Sequence, residues 1–330
     1  MYTKGHFSTA LSDKMSSNIR RLSGNRNFFS DFGRLPGEAG YALITVMVIS
    51  LMISVITMSM VFSVHRKITL AQEVKDRTRA CLCSTSAFNE ILYNILTSTL
   101  TRTSLEIHQD GGIIKRWNIY GDPIKFSPEV TVRLRDTAGM LSLPFGSRFL
   151  RILMMAAVKD SKEVNAFIDT FADWQDRDKL KRLNGAEAFS YRAGGYPYTP
   201  RNFYIQTPGE LKLLYGFNRK LPAEVEDEFV YWGGAETNYL TMSEKLLKAL
   251  LQDDLLADRI IKLRRDGRLT AYLFQDITGI KPQEPGFFRC SGWLKIELTA
   301  RVGKAVDRIA AVVAKKQLRR QPFILAEWKK

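Results

Sequence analysis

The chain has 330 residues, of which 45% are hydrophobic and 11% aromatic, and it carries a formal net charge of +15. Such a length holds one large or two modest cores, and the ordinary apolar content excludes a wholly disordered chain. The basic excess points to nucleic acid, anionic lipid or an acidic partner, or simply to a solvated basic surface.

In chain order, the first 40 residues hold six basic side chains (Lys4, Lys14, Arg20, Arg21, Arg26, Arg34) and three acidic ones. Tyr41 to Val64 then runs for 24 residues without a charge. About 20 apolar residues cross a bilayer core as a helix, so this run reads as a transmembrane span. Arg66 and Lys67 come directly after it, but the longer basic head favours a cytoplasmic N-terminus. The 266 residues beyond the span are then expected in the opposite compartment. No small-residue cleavage site follows the apolar run near Ser63. No Gly or Pro interrupts Tyr41 to Leu100, while Leu70, Val74, Cys81, Phe88, Leu92 and Ile95 recur at helical spacing. One helix of about 55–60 residues is predicted, half in the bilayer and half amphipathic outside it.

Beyond Gly111-Gly112 the texture changes. Ile113–Tyr120 and Glu129–Asp136 alternate apolar and polar residues and read as strands. Ser147–Ile280 is helical in pattern, with apolar segments at Phe149–Val158 and Val164–Phe171. Thr207-Pro-Gly-Glu210 and Thr241-Met-Ser-Glu244 read as capped helix starts. A later helix ends near Arg265-Asp-Gly267, with Gly267 as its cap, and Pro282 and Pro285 punctuate the chain beyond it. Leu294, Ile296 and Leu298 alternate again, and Ala305–Ala314 fits strand or helix. The order of long helix, strands, helices and strands predicts an α+β domain with a large all-α insertion. The predicted division is 1–40 as head, 41–64 as span, 65–144 as helix and first strands, 145–285 as helical insertion, and 286–330 as returning strands with a basic tail. The pairs Lys315-Lys316 and Arg319-Arg320 in that tail read as surface charge.

The sharpest local feature is Asp173-Trp-Gln-Asp-Arg-Asp178, followed by Gly185-Ala-Glu187. Closely spaced carboxylates on a loop are what a hard cation such as Ca²⁺ takes as ligands, although the spacing is not that of an EF-hand. Two alternatives stay open at this level: a solvated acidic loop, and a paired-carboxylate hydrolase site. The three His residues (His6, His65, His108) lie in no nucleophile arrangement, and no catalytic constellation emerges. Cys81 and Cys83 stand two apart on a predicted helix and cannot easily bridge each other. A bridge to Cys290 is open in an oxidising compartment, but three buried free thiols is the preferred reading. No C-x-x-C pair supports zinc.

Taken together, these stretches resemble the minor pseudopilin K family of type II secretion, part of the type IV filament superfamily. The Gly40-Tyr41 junction before the apolar run resembles a prepilin peptidase site. The most specific likeness is Asp173-Trp-x-Asp-x-Asp178…Gly185-Ala-Glu187-x-x-x-Tyr191…Tyr196-x-x-x-Pro200-x-Asn202…Glu210-Leu-x-x-x-x-Gly216, and the return around Phe287–Val313 is the third.

The resemblance implies a pseudopilin fold with a helical insertion, a leader removed between Gly40 and Tyr41, N-methylation, and Ca²⁺ held by Asp173, Asp176, Asp178 and Glu187. It implies an inner-membrane, single-pass protein with its bulk in the periplasm and no catalytic role. Minor pseudopilins I and J, other pseudopilus subunits and prepilin peptidase are the implied partners. Ordinary filament subunits carry Glu at mature position five, where it is thought to pair with a neighbour's new amine; a lone carboxylate in hydrocarbon is costly unless paired. Here that position is Thr45, which fits a subunit at the tip, docked under no other. The competing expectation is a pilin-like nucleic-acid-binding protein of a DNA-uptake system, with Leu214-Tyr-Gly-Phe217 and Thr278-Gly279-Ile280 as phosphate-contacting hairpins. The preferred reading has no nucleic-acid partner.

Overall fold

The computed structural model describes residues 39–144, 147–158, 160–217, 223–233, 237–281, 288–318 and 321–330. The expected leader, up to residue 38, therefore lies outside the described residues, as do Pro282, Pro285 and the Arg319-Arg320 pair. Two compact units divide at Leu70, and each is taken by itself.

The first unit contributes one described element, the opening part of helix α1 (Ala39–Thr97). Its 59 residues match the predicted length, as expected for a run without Gly or Pro after Gly40. The apolar side chains from Tyr41 to Val64 are all exposed, Leu43 and Phe62 among them. The helix is long and apolar enough to cross a membrane, with a mean hydropathy of 2.4 in its most apolar window. Its hydroxyls turn inward: Ser50 donates to the Val46 carbonyl at 2.7 Å, and Ser54 and Thr57 donate to Ser50 and Ile53 at 2.8 Å. That satisfies polar groups which an apolar surrounding would otherwise penalise.

The second unit begins with the rest of α1. A small antiparallel sheet comes next: β1 (Thr99–Leu100), β2 (Ser104–Gln109) and β3 (Gly112–Asn118). Then come β4 (Ile124–Lys125) and β5 (Val130–Asp136). A 3-10 turn (Thr137–Gly139) leads to β6 (Leu141–Ser142). Helices α2 (Ser147–Ala157), α3 (Ser161–Gln175) and α4 (Ala188–Ala193) come next, then a 3-10 helix over Pro208–Leu213. After α5 (Ala223–Glu226), β7 (Phe229–Val230) pairs in parallel with β6. Helices α6 (Glu244–Leu251), α7 (Asp254–Arg265) and α8 (Ala271–Thr278) complete the helical region. The chain returns as β8 (Trp293–Val302), β9 (Ala305–Leu318) and β10 (Gln321–Lys329).

The main sheet runs β10-β9-β8-β5-β4. β5 and β8 pair antiparallel from Val130 opposite Ala300 to Asp136 opposite Leu294. This register puts Val132, Leu134, Leu294, Ile296 and Leu298 on the buried face, because alternate residues share a face. Against it pack Ala87, Phe88, Ile91 and Ile95 of α1. The helical region has its own core, centred on Phe167, Phe171, Trp174, Tyr191, Leu247 and Phe274.

Asp136 ties the two cores together. It is fully buried. It accepts hydrogen bonds from the Ala138 and Ser291 N–H groups, the Ser291 and Thr241 hydroxyls and the Asn238 amide. A side chain at Gly139 would collide with the backbone of Thr241, so the turn needs glycine to come this close. Arg135 pairs with buried Glu228 and donates to the Asp227 carbonyl at 2.7 Å. Arg264, also buried, lies 4.1 Å over the Tyr120 ring and donates to the Met242 carbonyl.

Several boundaries differ from expectation, each for a local reason. Thr207 opens a 3-10 helix rather than an α-helix. Thr241 ends a 3-10 turn (Tyr239–Thr241) and donates its hydroxyl to Asp136 at 3.0 Å; Ser243 caps α6 by accepting the Leu246 N–H at 3.1 Å. β9 is a strand, held between β8 and β10 despite its alanines. The tail is not a loose basic end. Lys315 lies within β9 and donates to the Ser98 carbonyl at 2.7 Å, its pKa lowered by desolvation. β10 is an edge strand that brings Trp328 edge-on to Phe88, centroids 4.8 Å apart. Its pairing with β9 shifts register on either side of Pro322 and again between Leu325 and Glu327.

Candidate functional site

The acidic motif straddles the end of α3. Asp173 lies on the last turns of the helix, and Asp176 caps it with its N–H bonded to the Ala172 carbonyl at 3.0 Å. A loop then runs to Glu187, which stands at the N-cap of α4. Asp178 accepts the Leu180 N–H at 2.8 Å, turning the chain back along α3. Asp169, one helical turn before Asp173, accepts the N–H and side-chain amide of Asn184 at 3.1 and 2.9 Å.

Three of the four expected ligands converge. Asp176, Asp178 and Glu187 each present a carboxylate oxygen, and these atoms all lie within 4.8 Å of one another. Oxygens on opposite sides of a Ca²⁺ shell stand about 4.8 Å apart, since each lies about 2.4 Å from the ion. The group fits inside one such shell. Glu187 is only 6% exposed, and both its carboxylate oxygens lack a hydrogen-bond partner, as does Oδ1 of Asp176. Its pKa is raised, chiefly by burial and then by the charge of Asp173; the Ala188 N–H offsets this in part, without reaching hydrogen-bond geometry. Buried carboxylate oxygens with no donor are costly, and a cation relieves both the burial and the mutual repulsion. The all-oxygen donor set suits a hard cation rather than zinc.

Asp173 is not part of that group. Fully buried, it accepts the Arg182 guanidinium on Oδ1 at 2.7 Å and the Arg182 N–H on Oδ2 at 3.2 Å. The same guanidinium nitrogen contacts Oδ2 of Asp176, and the two carboxylates raise the pKa of Arg182. Asp173 therefore anchors the loop, while Arg182 holds Asp176 by one oxygen and leaves the other free. The loop passes so close over Asp173 that a side chain at Gly185 would clash with the carboxylate.

The rest of the motif braces this loop. Trp174 donates its indole N–H to buried Glu210 at 3.4 Å, and its carbonyl accepts the Asn202 N–H at 2.9 Å. The Glu210 carboxylate also takes the N–H groups of Gln206 and Thr207 and pairs with Arg201 at 3.0 Å. Tyr191 accepts the Tyr215 N–H at 2.8 Å on its hydroxyl, and burial raises its pKa. Arg182, Asp169 and Asn184 carry no motif that marks them in the sequence. The usable signal was Asp169, which shares a helix face with Asp173 four residues on.

At the other expected site, Gly40 and Tyr41 lie within α1, Tyr41 largely exposed, and the Thr45 hydroxyl donates to the Ala42 carbonyl at 2.9 Å. Gly279 is the left-handed cap of α8, and Gly267 stands just past the end of α7 at φ +69°. All three cysteines are free and half-buried rather than fully buried.

Residues 137–227 match the family model described as type II secretion system (T2SS), protein K. The segment takes in the whole acidic loop and the braces around it, and the expected family resemblance is borne out there. No curated protein matches the chain. Among solved structures, the chain is similar to one from the GspK-GspI-GspJ complex of the enterotoxigenic Escherichia coli type 2 secretion system. That likeness has 13% identity and a TM-score of 0.49, and it covers 78% of this chain and 98% of the other.

Proposed function

We propose that this chain is a minor pseudopilin of the protein K kind in a type II secretion system. The family match over residues 137–227 carries the reading. The exposed apolar run of α1 supports it, because a pseudopilus subunit needs a helix that can rest in a bilayer before assembly. On this reading the helical region between β6 and β8 is an insertion in a pseudopilin domain. Prepilin peptidase cuts between Gly40 and Tyr41, and the inner membrane holds the protein by a single span with its bulk in the periplasm. Its role is non-enzymatic. It starts a short pseudopilus with minor pseudopilins I and J and helps move folded proteins across the outer membrane.

Thr45 supports a place at the tip. With no carboxylate at mature position five, nothing in the span asks to pair with a neighbour's amine, and the bulk of the helical region suits an end of the filament better than its shaft. Ca²⁺ is the ion for Asp176, Asp178 and Glu187, with Asp173 and Arg182 holding the frame. When bound, it fixes the loop between α3 and α4 as a structural cross-link.

The deciding experiment is mass spectrometry of the mature N-terminus in cells with and without prepilin peptidase, paired with a secretion assay in a deletion strain. A chain beginning at Tyr41 only when the peptidase is present, together with lost secretion on deletion, is the expected result. An intact head in both strains, or normal secretion after deletion, defeats the proposal.

A further inference from the structure

The loop that carries the carboxylates, with the first turn of α4 that follows it, also carries three large apolar side chains in water. Leu180 is 77%, Leu183 93% and Phe189 82% exposed. The loop does not wave freely, since Asp169, Asp173 and Asp178 hold it at Asn184, Arg182 and Leu180. A rigid segment that displays apolar groups has already lost the entropy that a binding event would otherwise remove. Beside Leu183 lies a groove of about 530 Å³, floored by Phe167, Leu214 and Phe217. A protruding leucine next to a hollow with an apolar floor and a rim that includes Lys181 and Asn184 is the shape of one half of a protein interface, and a flat lipid surface would leave the hollow unfilled.

Charge identifies the partner. Arg177, Lys179 and Lys181 alternate along the same loop, are exposed, and make no ion pair among the described residues. With Arg182 they make four cations against the four carboxylates Asp173, Asp176, Asp178 and Glu187. Without an ion the loop is neutral as a whole; a bound divalent cation leaves it net positive by two. We infer that this loop and groove form an ion-switched docking surface for an acidic, amphipathic helix of a partner protein. Leu183 packs on the helix, helix side chains fill the groove, and the three free cations meet its carboxylates. The inference rests on the ion reading given above, and its test separates the two.

The probe is a fluorescent helical peptide with Leu and Phe on one face and Glu elsewhere, titrated into the full-length chain in phosphatidylcholine nanodiscs. Calcium binding to the same sample is measured by calorimetry. Adding calcium tightens peptide binding about tenfold, as a change in local charge does for complementary partners, and added salt weakens the effect. L183S removes most of the peptide affinity and leaves calcium affinity intact. The double variant D178N/E187Q removes two of the carboxylate charges without an ion, so it binds the peptide tightly in chelator and no longer responds to calcium. If calorimetry finds no calcium binding, the ion reading fails, and the double variant still decides the docking surface. The inference is overturned by a Lys-bearing peptide that binds as well as the Glu-bearing one, by D178N/E187Q binding no more tightly than the parent in chelator, or by L183S having no effect. Capture by equimolar phosphatidylglycerol–phosphatidylcholine vesicles without capture of the peptide also overturns it, since the partner is then a lipid surface.

Discussion

Arg182 and Asp173 are bound twice over: the guanidinium donates to Oδ1 at 2.7 Å and the backbone N–H of the same residue to Oδ2 at 3.2 Å. One residue thus supplies both a charged and a neutral donor to a carboxylate with no exposed surface. D173A leaves that backbone N–H and one face of the guanidinium without an acceptor, at an expected cost of about 2–3 kcal/mol. R182Q should cost less, because the arginine side chain is 42% exposed and part of its attraction is screened. Urea titration of both variants in detergent checks this order, and equal losses would contradict it.

Asp136, like Asp173, is a fully buried carboxylate, and neutral donors surround it. D136A leaves the Ala138 and Ser291 N–H groups without an acceptor, while the Asn238 amide and the Thr241 and Ser291 hydroxyls keep the Arg102, Asn238 and Trp293 carbonyls, and a loss of about 2–4 kcal/mol is expected. D136N keeps one oxygen and sets its new amide against that of Asn238 at the 3.1 Å contact, so it should also destabilise. A variant within about 0.5 kcal/mol of the parent, the range of an ordinary surface change, would remove Asp136 from its role.

Gly139 and Gly185 both lie where a side chain would collide, but with different neighbours. At Gly139 the obstacle is the Thr241 backbone, whereas at Gly185 it is the Asp173 carboxylate. Backbone yields less readily than a side chain. G139A should therefore cost more than the usual overpacking range of about 1–3 kcal/mol, and G185A should fall within it and weaken calcium binding as well. The reverse order in thermal denaturation would contradict the packing described.

The pKa of Glu187 makes the ion-free protein sensitive to pH. Its folded value lies above the ordinary 4.5, so between the two values the folded state binds more protons than the unfolded. Stability contributed by this group is present below the unfolded value and is lost as pH rises through the folded one. In chelator, the melting temperature of the parent should therefore fall relative to that of E187Q as pH climbs from 4 towards neutrality. Calcium binds the deprotonated form, so its affinity should rise over the same interval. A constant difference between parent and E187Q across the interval would show that Glu187 is not buried with its charge.

Adding calcium should raise the melting temperature of the parent, by about 2.7 kcal/mol of stability when the ion is at a hundred times its dissociation constant. E187Q and D178N should lose most of that gain, and T207A should keep it. An equal gain in E187Q would place the ion elsewhere.

Periodicity carried the large elements. The 59-residue helix was legible because nothing in Tyr41–Leu100 breaks it, and β5 and β8 were legible because their alternation is strict. What escaped depends on contacts between distant residues. Thr241 and Ser243 are both good caps by residue type, but Thr241 closes a 3-10 turn that bonds to Asp136, 105 residues away, and the helix starts only after Ser243. β2 is short and polar at its end, and β10 hides behind basic residues and Pro322, so neither has a pattern apart from its partner strand. At the acidic loop the sequence marked four carboxylates as one group but could not divide them, because the division depends on where Arg182 reaches. Charge spacing names a cluster; only the fold decides which members converge and which face an arginine.

β10 ends the main sheet with an outer edge that is hard to extend. Pro322 offers no N–H, and the two register shifts break the even spacing of amides and carbonyls along the strand. A second copy approaching edge to edge would find no continuous row to pair with. For a chain proposed to work inside a polymer, this separates intended growth from accidental growth. Stacking through the helix stays open, while edge-to-edge pairing of the kind that builds β-fibres is hindered along β10.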